Sequence, residues 1–186
     1  EQQVPVWLGE TGENSNVWFT DAIGLLEKNN IGWAWWPLKK IGNNNPMEIR
    51  SNANYDAMVR YFNTGGSKPK ETEVYSGLMQ LADDTRLEQT IIHRDVIDAM
   101  IRQPFTAETK PFKVHQVSNQ SIIYAVDYDL GRNGQAYFDL DTADYHVSTN
   151  KRGAGNRGRI YRNDGVDILR VSTRNEKYYV SHVEKG

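Results

Sequence analysis

Residues 4–38 have the sequence VPVWLGETGENSNVWFTDAIGLLEKNNIGWAWWPL, and this stretch decides the fold class of the first half of the chain. Residues 4–9 form a short apolar run, which is typical of a buried strand. Residues 16–28 place apolar side chains on one face of a predicted helix, and residues 31–38 form a second apolar run. A strand, a helix and a strand at this spacing predict a βαβ unit and therefore a parallel sheet.

The rest of the chain divides into a helical stretch and a stretch of short β-type runs. Helical periodicity predicts helices at 53–63, about 72–85 and about 91–103. Residues 105–186 have short β-type runs separated by Gly, Asn and Asp turns, which is typical of an antiparallel β-sandwich of jelly-roll-like form. The predicted strands are SIIYAVDY (121–128), QAYFDL (135–140), RIYRN (159–163), VDILRVS (166–172) and KYYVSHV (177–183). We therefore predict an α/β part at residues 1–104 and an all-β part beyond it.

Composition excludes several classes of function. The net charge of -2 does not favour a nucleic-acid or anionic-membrane partner, and no apolar run approaches the ~20 residues of a membrane span. The absence of cysteine excludes thiol catalysis, disulfides and zinc–thiolate sites. Five tryptophans and ten tyrosines are present, and such aromatic density indicates flat ligands, of which sugar rings are the commonest in water.

Glu10 is the candidate catalytic residue, because it follows the first predicted strand between Gly9 and Gly12. Catalytic groups of (β/α)₈ barrels lie at the carboxyl ends of the strands, and glycines let a ligand approach closely. The alternative is that Glu10 only complements the dipole of the following helix.

Three tryptophans at the second strand are the candidate sugar-binding residues. Side chains alternate along a strand, so Trp33 and Trp35 are expected on one face and Trp36 on the other. A carboxylate and an indole on adjacent strand ends outline a glycosidase subsite, with one group for chemistry and the other for stacking. The alternative is that tryptophans from this set pack between the sheet and the helices.

These residues carry a family resemblance. The Gly9-Glu10-Thr11-Gly12 stretch and Gly32-Trp33-Ala34-Trp35-Trp36 resemble the nucleophile motif and the last strand of glycoside hydrolase family 5. The resemblance implies that residues 1–104 are the C-terminal portion of a (β/α)₈ TIM barrel, strands 7 and 8. It also implies that Glu10 is the nucleophile of a retaining mechanism and that Trp36 lines the subsite for the sugar being cleaved. No metal or cofactor takes part in such a reaction.

The same resemblance implies that the second catalytic group lies outside this chain. A retaining pair needs an acid/base about 5–5.5 Å from the nucleophile. In the family this residue is a Glu after an Asn at the end of strand 4, which nothing in this chain matches. The remainder of the barrel is therefore an expected partner of the segment.

The second half resembles the first part of a family 6 carbohydrate-binding module. The matching blocks are Ala125–Gly134, Ala136–Asp139 and Tyr161–Ile168. Such modules often hold structural calcium through a Glu, but Val126 occupies that position and an aliphatic side chain cannot bind a hard cation. The oxygens of Asp127, Asp129 and Asp139 keep a calcium site open as an alternative.

Other polar groups have simpler interpretations. The four histidines are scattered, without metal-ligand spacing, and the Gly-rich basic stretch at 151–159 lacks the Gly-Lys-Ser/Thr of a phosphate loop. The amides of residues 43–45 are candidates for hydrogen bonds to sugar hydroxyls.

Together these observations predict the C-terminal segment of a retaining β-glycanase that hydrolyses plant or microbial polysaccharide, foremost an endo-β-1,4-glucanase. A β-mannanase, xyloglucanase or β-1,3-glucanase is the alternative within the family, and a non-catalytic carbohydrate-binding segment or an assembly region is the alternative outside it. An extracellular or periplasmic location is expected, because insoluble polysaccharide does not enter cells.

Overall fold

The computed structural model describes residues 4–42, 44–139, 161–172 and 175–181. Its first unit consists of β1 (Trp7–Thr11), α1 (Asn16–Lys28) and β2 (Gly32–Trp35). The two strands are parallel, so the predicted βαβ unit is confirmed. The helix has its predicted bounds, whereas β1 starts three residues later and ends two residues later than the strand predicted at 4–9.

The ends of α1 follow from its sequence. The Ser15 hydroxyl accepts a hydrogen bond from the backbone N–H of Trp18 at 3.1 Å, which satisfies one of the free donors of the first turn. At the other end Asn30 adopts a positive φ of 54°, a conformation that Asn tolerates better than most residues. The chain then turns directly into β2.

The main apolar core lies between α1 and α4 (Arg94–Ile101). Its buried members are Phe19, Ile23, Val96, Ala99 and Met100. The helix predicted at 91–103 is confirmed, but it starts later than expected. Ile91–Ile92, which were predicted to begin the helix, form the short strand β5 instead, and His93 is the N-cap of α4.

A small sheet and a helix pair extend from this core. The sheet contains β3 (Lys39–Lys40), β4 (Met47–Glu48) and β5, with β3 parallel and β5 antiparallel to β4. The pair, α2 (Ala53–Thr64) and α3 (Glu71–Asp84), confirms both predicted helices. No helix in the described ranges is long and apolar enough to cross a membrane.

The second half confirms some of the predicted strands. Strands β6 (Ile168–Ser172) and β7 (Asn175–Val180) form an antiparallel hairpin at two of the predicted runs. The runs predicted at 135–140 and 159–163 form no strand in their described residues, 135–139 and 161–163. The strand predicted at 121–128 is also wrong, because this stretch is a loop followed by the 3₁₀ helix Ala125–Asp127. Among the described residues, no neighbouring strand pairs with this stretch. Its Ile122 and Ile123 side chains are exposed, whereas Val126 is buried. The complete β-sandwich stays a prediction, since residues 140–160 lie outside the described part.

A second, smaller core anchors this half. Val126, Val166 and Ile168 are buried together, and five further side chains pack against them: Tyr128, Tyr137, Tyr161, Tyr178 and Val180. The hairpin is therefore attached to the loop before it mainly through tyrosine rings.

A buried polar network connects the two halves of the chain. Asn16, at the start of α1, donates its side-chain amide to Asp95 at 2.9 Å and to Asp164 at 2.8 Å. Asp95 also accepts from the backbone N–H of Asn163 at 2.7 Å, and Arg162 forms an ion pair with Asp164 at 2.6 Å. All five residues are buried, so each charge depends on these partners.

Candidate functional site

Glu10 lies at the carboxyl end of β1, where the strand is irregular. Leu8 pairs with Trp33 and Thr11 pairs with Trp35, so Gly9 and Glu10 together stand opposite Ala34 alone. This two-against-one arrangement is a β-bulge, a feature that redirects a side chain and is over-represented beside active sites. Glu10 is exposed, whereas Thr11 is buried.

The Glu10 carboxylate has no hydrogen-bond or ion-pair partner among the described residues. Glu13, three residues later, differs because it forms an ion pair with Lys40 at the start of the small sheet. Of these two acidic side chains, Glu10 alone is therefore unengaged within the described residues and open to an approaching ligand.

Gly12 brings the end of β1 against the end of β2. The backbone N–H of Trp36 donates to the carbonyl oxygen of Thr11 at 2.8 Å. A Cβ atom at Gly12 would collide with the carbonyl oxygen of Trp36, so only glycine fits this approach. The second glycine of the Gly-Glu-Thr-Gly stretch is thus explained by packing between the strand ends that carry Glu10 and Trp36.

The three tryptophans separate as strand alternation predicts. Trp33 and Trp35 both pack against the main core, and the Trp35 ring meets Phe19 edge to face at 4.2 Å. The Nε1 of Trp33 donates to Glu27 at 2.8 Å. Trp36 is 55% exposed and follows a strand end adjacent to that of Glu10. The structure therefore brings Glu10 and Trp36 to the same edge of the sheet, and it gives Trp33 and Trp35 packing contacts.

Comparisons with known proteins do not identify a family for this chain. No protein-family model, curated protein or solved structure matches the chain.

The amides of residues 44 and 45 are not at the surface. Asn44 and Asn45 are buried, and the side chain of Asn45 donates to the carbonyl oxygen of Met47. These two residues shape the loop before β4, so the expectation that they contact sugar hydroxyls is wrong for them. Asn43 lies outside the described residues.

Two of the residues weighed for calcium, Val126 and Asp127, are engaged in other contacts. Val126 is a core residue, and the carboxylate of Asp127 pairs with Lys113 at 2.8 Å and accepts from the Tyr161 hydroxyl at 2.5 Å. Burial opposes the charge of Lys113, but the contacts with Asp127 and Tyr161 outweigh it and raise the Lys113 pKa. Across the described ranges, no three His, Asp or Glu side chains are grouped to hold a metal ion.

The structure contains a cleft that no sequence motif predicted. It has a volume of about 770 Å³ and lies between the start of α4 and the β6–β7 hairpin. We call it the basic cleft, after five lining cations: Arg50, Arg94, Lys113, Arg170 and Lys177. These residues come from distant parts of the chain, so no local motif could have indicated that they line one space.

Proposed function

We propose that the chain is the C-terminal segment of a retaining β-glycanase in which Glu10 is the catalytic nucleophile. The observation that carries the proposal is the pairing of an exposed carboxylate, without a partner among the described residues, with an exposed indole at neighbouring ends of two parallel strands. Carboxylates and aromatic platforms placed in this way suit sugar chemistry, because one attacks the anomeric carbon while the other supports the ring.

The roles of the two side chains follow from the retaining mechanism. Glu10 attacks the anomeric carbon and forms a glycosyl ester as the bond to the leaving oxygen breaks. A second carboxylic acid protonates that oxygen and then activates the water that hydrolyses the ester. This chain supplies the nucleophile, and the acid/base belongs to the rest of the proposed barrel. Trp36 offers its ring face to the sugar being cleaved.

The exposed start of β1 supports the need for additional barrel strands. Val4 and Val6, which precede β1, and Trp7, its first residue, are each 65% exposed, although residues 4–9 have the apolar composition of a buried strand. Apolar side chains beside an unpaired strand edge favour association with further strands. We propose that the remaining strands of the barrel cover this region and bring the acid/base opposite Glu10.

The substrate class is proposed from the site chemistry and the resemblance together. A β-1,4-glucan is the first candidate, and mannan, xyloglucan and β-1,3-glucan are its alternatives. An extracellular or periplasmic location goes with such polymers.

Covalent trapping tests the nucleophile directly. The full-length enzyme, containing this segment, is incubated with an activated 2-deoxy-2-fluoro glycoside, which slows hydrolysis of the glycosyl ester. Peptide mass spectrometry is expected to find the label on Glu10. The same enzyme with Glu10→Gln is expected to lose turnover of soluble β-glucan by at least about a thousandfold while still binding it.

Glu13→Gln is the matched control, since Glu13 is a nearby carboxylate already paired with Lys40. Its turnover is expected to stay near that of the unmodified enzyme. A label on another carboxylate, or full activity in Glu10→Gln, would refute the proposal.

A further inference from the structure

The basic cleft lies in a different part of the molecule from the strand ends that carry Glu10 and Trp36. Its walls come from the small sheet, the start of α4, the loop at 112–127 and the β6–β7 hairpin. Neither Glu10 nor Trp36 lines it. A volume of about 770 Å³ is within the range of small-molecule sites, so the cleft can hold a short oligosaccharide.

The carboxylates of the cleft are already committed to internal contacts. Glu48 lies 2.8 Å from the Nε2 of His93, and Asp127 pairs with Lys113. Asp95 accepts hydrogen bonds from Asn16 and from the backbone of Asn163 within the buried network. Hydrogen bonds from neutral donors leave a carboxylate charged, so three carboxylates face five cations and the cleft lining keeps a net positive charge.

Four of the five cations have no carboxylate partner among the described residues. They are Arg50, Arg94, Arg170 and Lys177. Arg94 donates to the carbonyl oxygen of Phe112 at 3.3 Å, and Arg170 lies over the Tyr178 ring at 5.6 Å. The cleft thus concentrates positive charge in a chain whose overall charge is -2. Such a site favours an anionic ligand.

Aromatic rings on the same wall restrict the kind of anion. Tyr161 and Tyr178 stack on each other at 4.7 Å, and Phe112 meets Tyr161 edge to face at 5.8 Å. Tyr124 is half exposed beside them. Aromatic surface next to guanidinium groups suits a ligand with flat apolar faces and carboxylates, and it suits a bare inorganic anion poorly.

We propose that the basic cleft binds an acidic oligosaccharide that carries uronate carboxylates. The guanidinium groups of Arg50, Arg94 and Arg170 pair with carboxylates of the sugar, and the exposed ring of Tyr124 contacts a pyranose face. This site goes beyond the proposed hydrolase activity, since it requires no chemistry at Glu10.

Isothermal titration calorimetry of the full chain with a short oligogalacturonate tests the proposal. A cello-oligosaccharide of equal length is the neutral probe, and a single-stranded oligonucleotide is the other polyanion. Saturable binding of oligogalacturonate is expected, together with at least about tenfold weaker binding of the neutral probe. Affinity is expected to fall as sodium chloride is added.

The double variant Arg170→Gln/Lys177→Gln removes charge from the hairpin wall and is expected to weaken oligogalacturonate binding at least about tenfold. The matched control is Arg60→Gln/Lys28→Gln, which removes two exposed cations outside the cleft and is expected to bind normally. Thermal denaturation of each variant verifies that it is folded. Glu10→Gln is expected to bind as the unmodified chain does, which separates this site from the proposed hydrolase site.

Three outcomes would overturn the proposal. The first is equal binding of neutral and acidic oligosaccharides, and the second is equal weakening by both double variants. The third is oligonucleotide binding as tight as that of oligogalacturonate, which would identify a general polyanion site.

Discussion

The side-chain amide of Asn16 donates to Oδ1 of Asp164 at 2.8 Å, although the two residues lie 148 positions apart. The first turn of α1 is thereby joined to the segment before β6. The same amide nitrogen serves Asp95 at the start of α4, so one asparagine supports two buried carboxylates. The α/β part and the second half are consequently linked by polar contacts as well as by chain continuity.

Replacing Asn16 is expected to destabilise the protein strongly. Asn16→Ala removes the donor to two buried carboxylates, which are costly to leave unsatisfied, so the free energy of unfolding should fall by about 3 kcal/mol. Urea denaturation followed by tryptophan fluorescence measures this change. The control Asn63→Ala alters an exposed asparagine of α2 and should change stability by less than about 0.5 kcal/mol. Similar losses in both variants would contradict the role given to the network.

Gly12 and Gly9 are expected to respond differently to the same substitution. In Gly12→Ala the new methyl group meets the carbonyl oxygen of Trp36, a residue whose backbone N–H is hydrogen-bonded to the Thr11 carbonyl oxygen, so a loss of about 1–3 kcal/mol is expected. In Gly9→Ala no atom lies within 4 Å of the new Cβ, so the loss should be smaller. Denaturation midpoints compare the two variants, and equal losses would contradict the close approach.

Substitutions of Trp36 and Trp35 are expected to change different properties, namely glucan binding for Trp36 and stability for Trp35. Trp36→Ala removes an exposed ring, so stability should change by less than about 1 kcal/mol while β-glucan binding by the full-length enzyme is lost. Trp35→Ala removes a ring that packs on Phe19 and should cost about 3 kcal/mol. Calorimetric unfolding and affinity electrophoresis on soluble glucan provide the two measurements. Normal glucan retardation of Trp36→Ala would argue against its place in the subsite.

The protein is expected to lose stability at alkaline pH. Burial, and next to it the negative charge of Asp164, raises the pKa of both Tyr128 and Tyr137. The unfolded chain releases these two protons near pH 10, whereas the folded chain keeps them to higher pH. The contribution of the two tyrosines to the free energy of unfolding is therefore complete below about pH 10 and is lost as pH rises toward the folded pKa values. Urea midpoints between about pH 9 and pH 11 measure the slope.

The tyrosine variants identify the source of that slope. Tyr137→Phe is expected to flatten the pH dependence, because Phe has no proton to release. Tyr75→Phe is the matched control, since Tyr75 is exposed on α3 and should leave the slope unchanged. An unaltered slope in Tyr137→Phe would show that another group is responsible.

Local patterns predicted the first half of the fold well. The apolar periodicity of 16–28 and the hydroxyl of Ser15 set the bounds of α1 with contacts inside one helix turn. The alternation of Trp33, Trp35 and Trp36 likewise followed from strand geometry alone. The strand predicted at 121–128 failed because strand-like composition needs a neighbouring strand, and sequence gives no information on whether one is present.

The sequence by itself determined the βαβ unit, the position of Glu10 at the carboxyl end of a strand and the opposite faces of Trp35 and Trp36, because each depends on neighbours within a few residues. Only the tertiary structure decided that Asn16 supports Asp164, that Gly12 makes room for Trp36 and that distant cations line one cleft. Those relationships join residues far apart in the chain, and long-range packing, which no local periodicity encodes, brings them together.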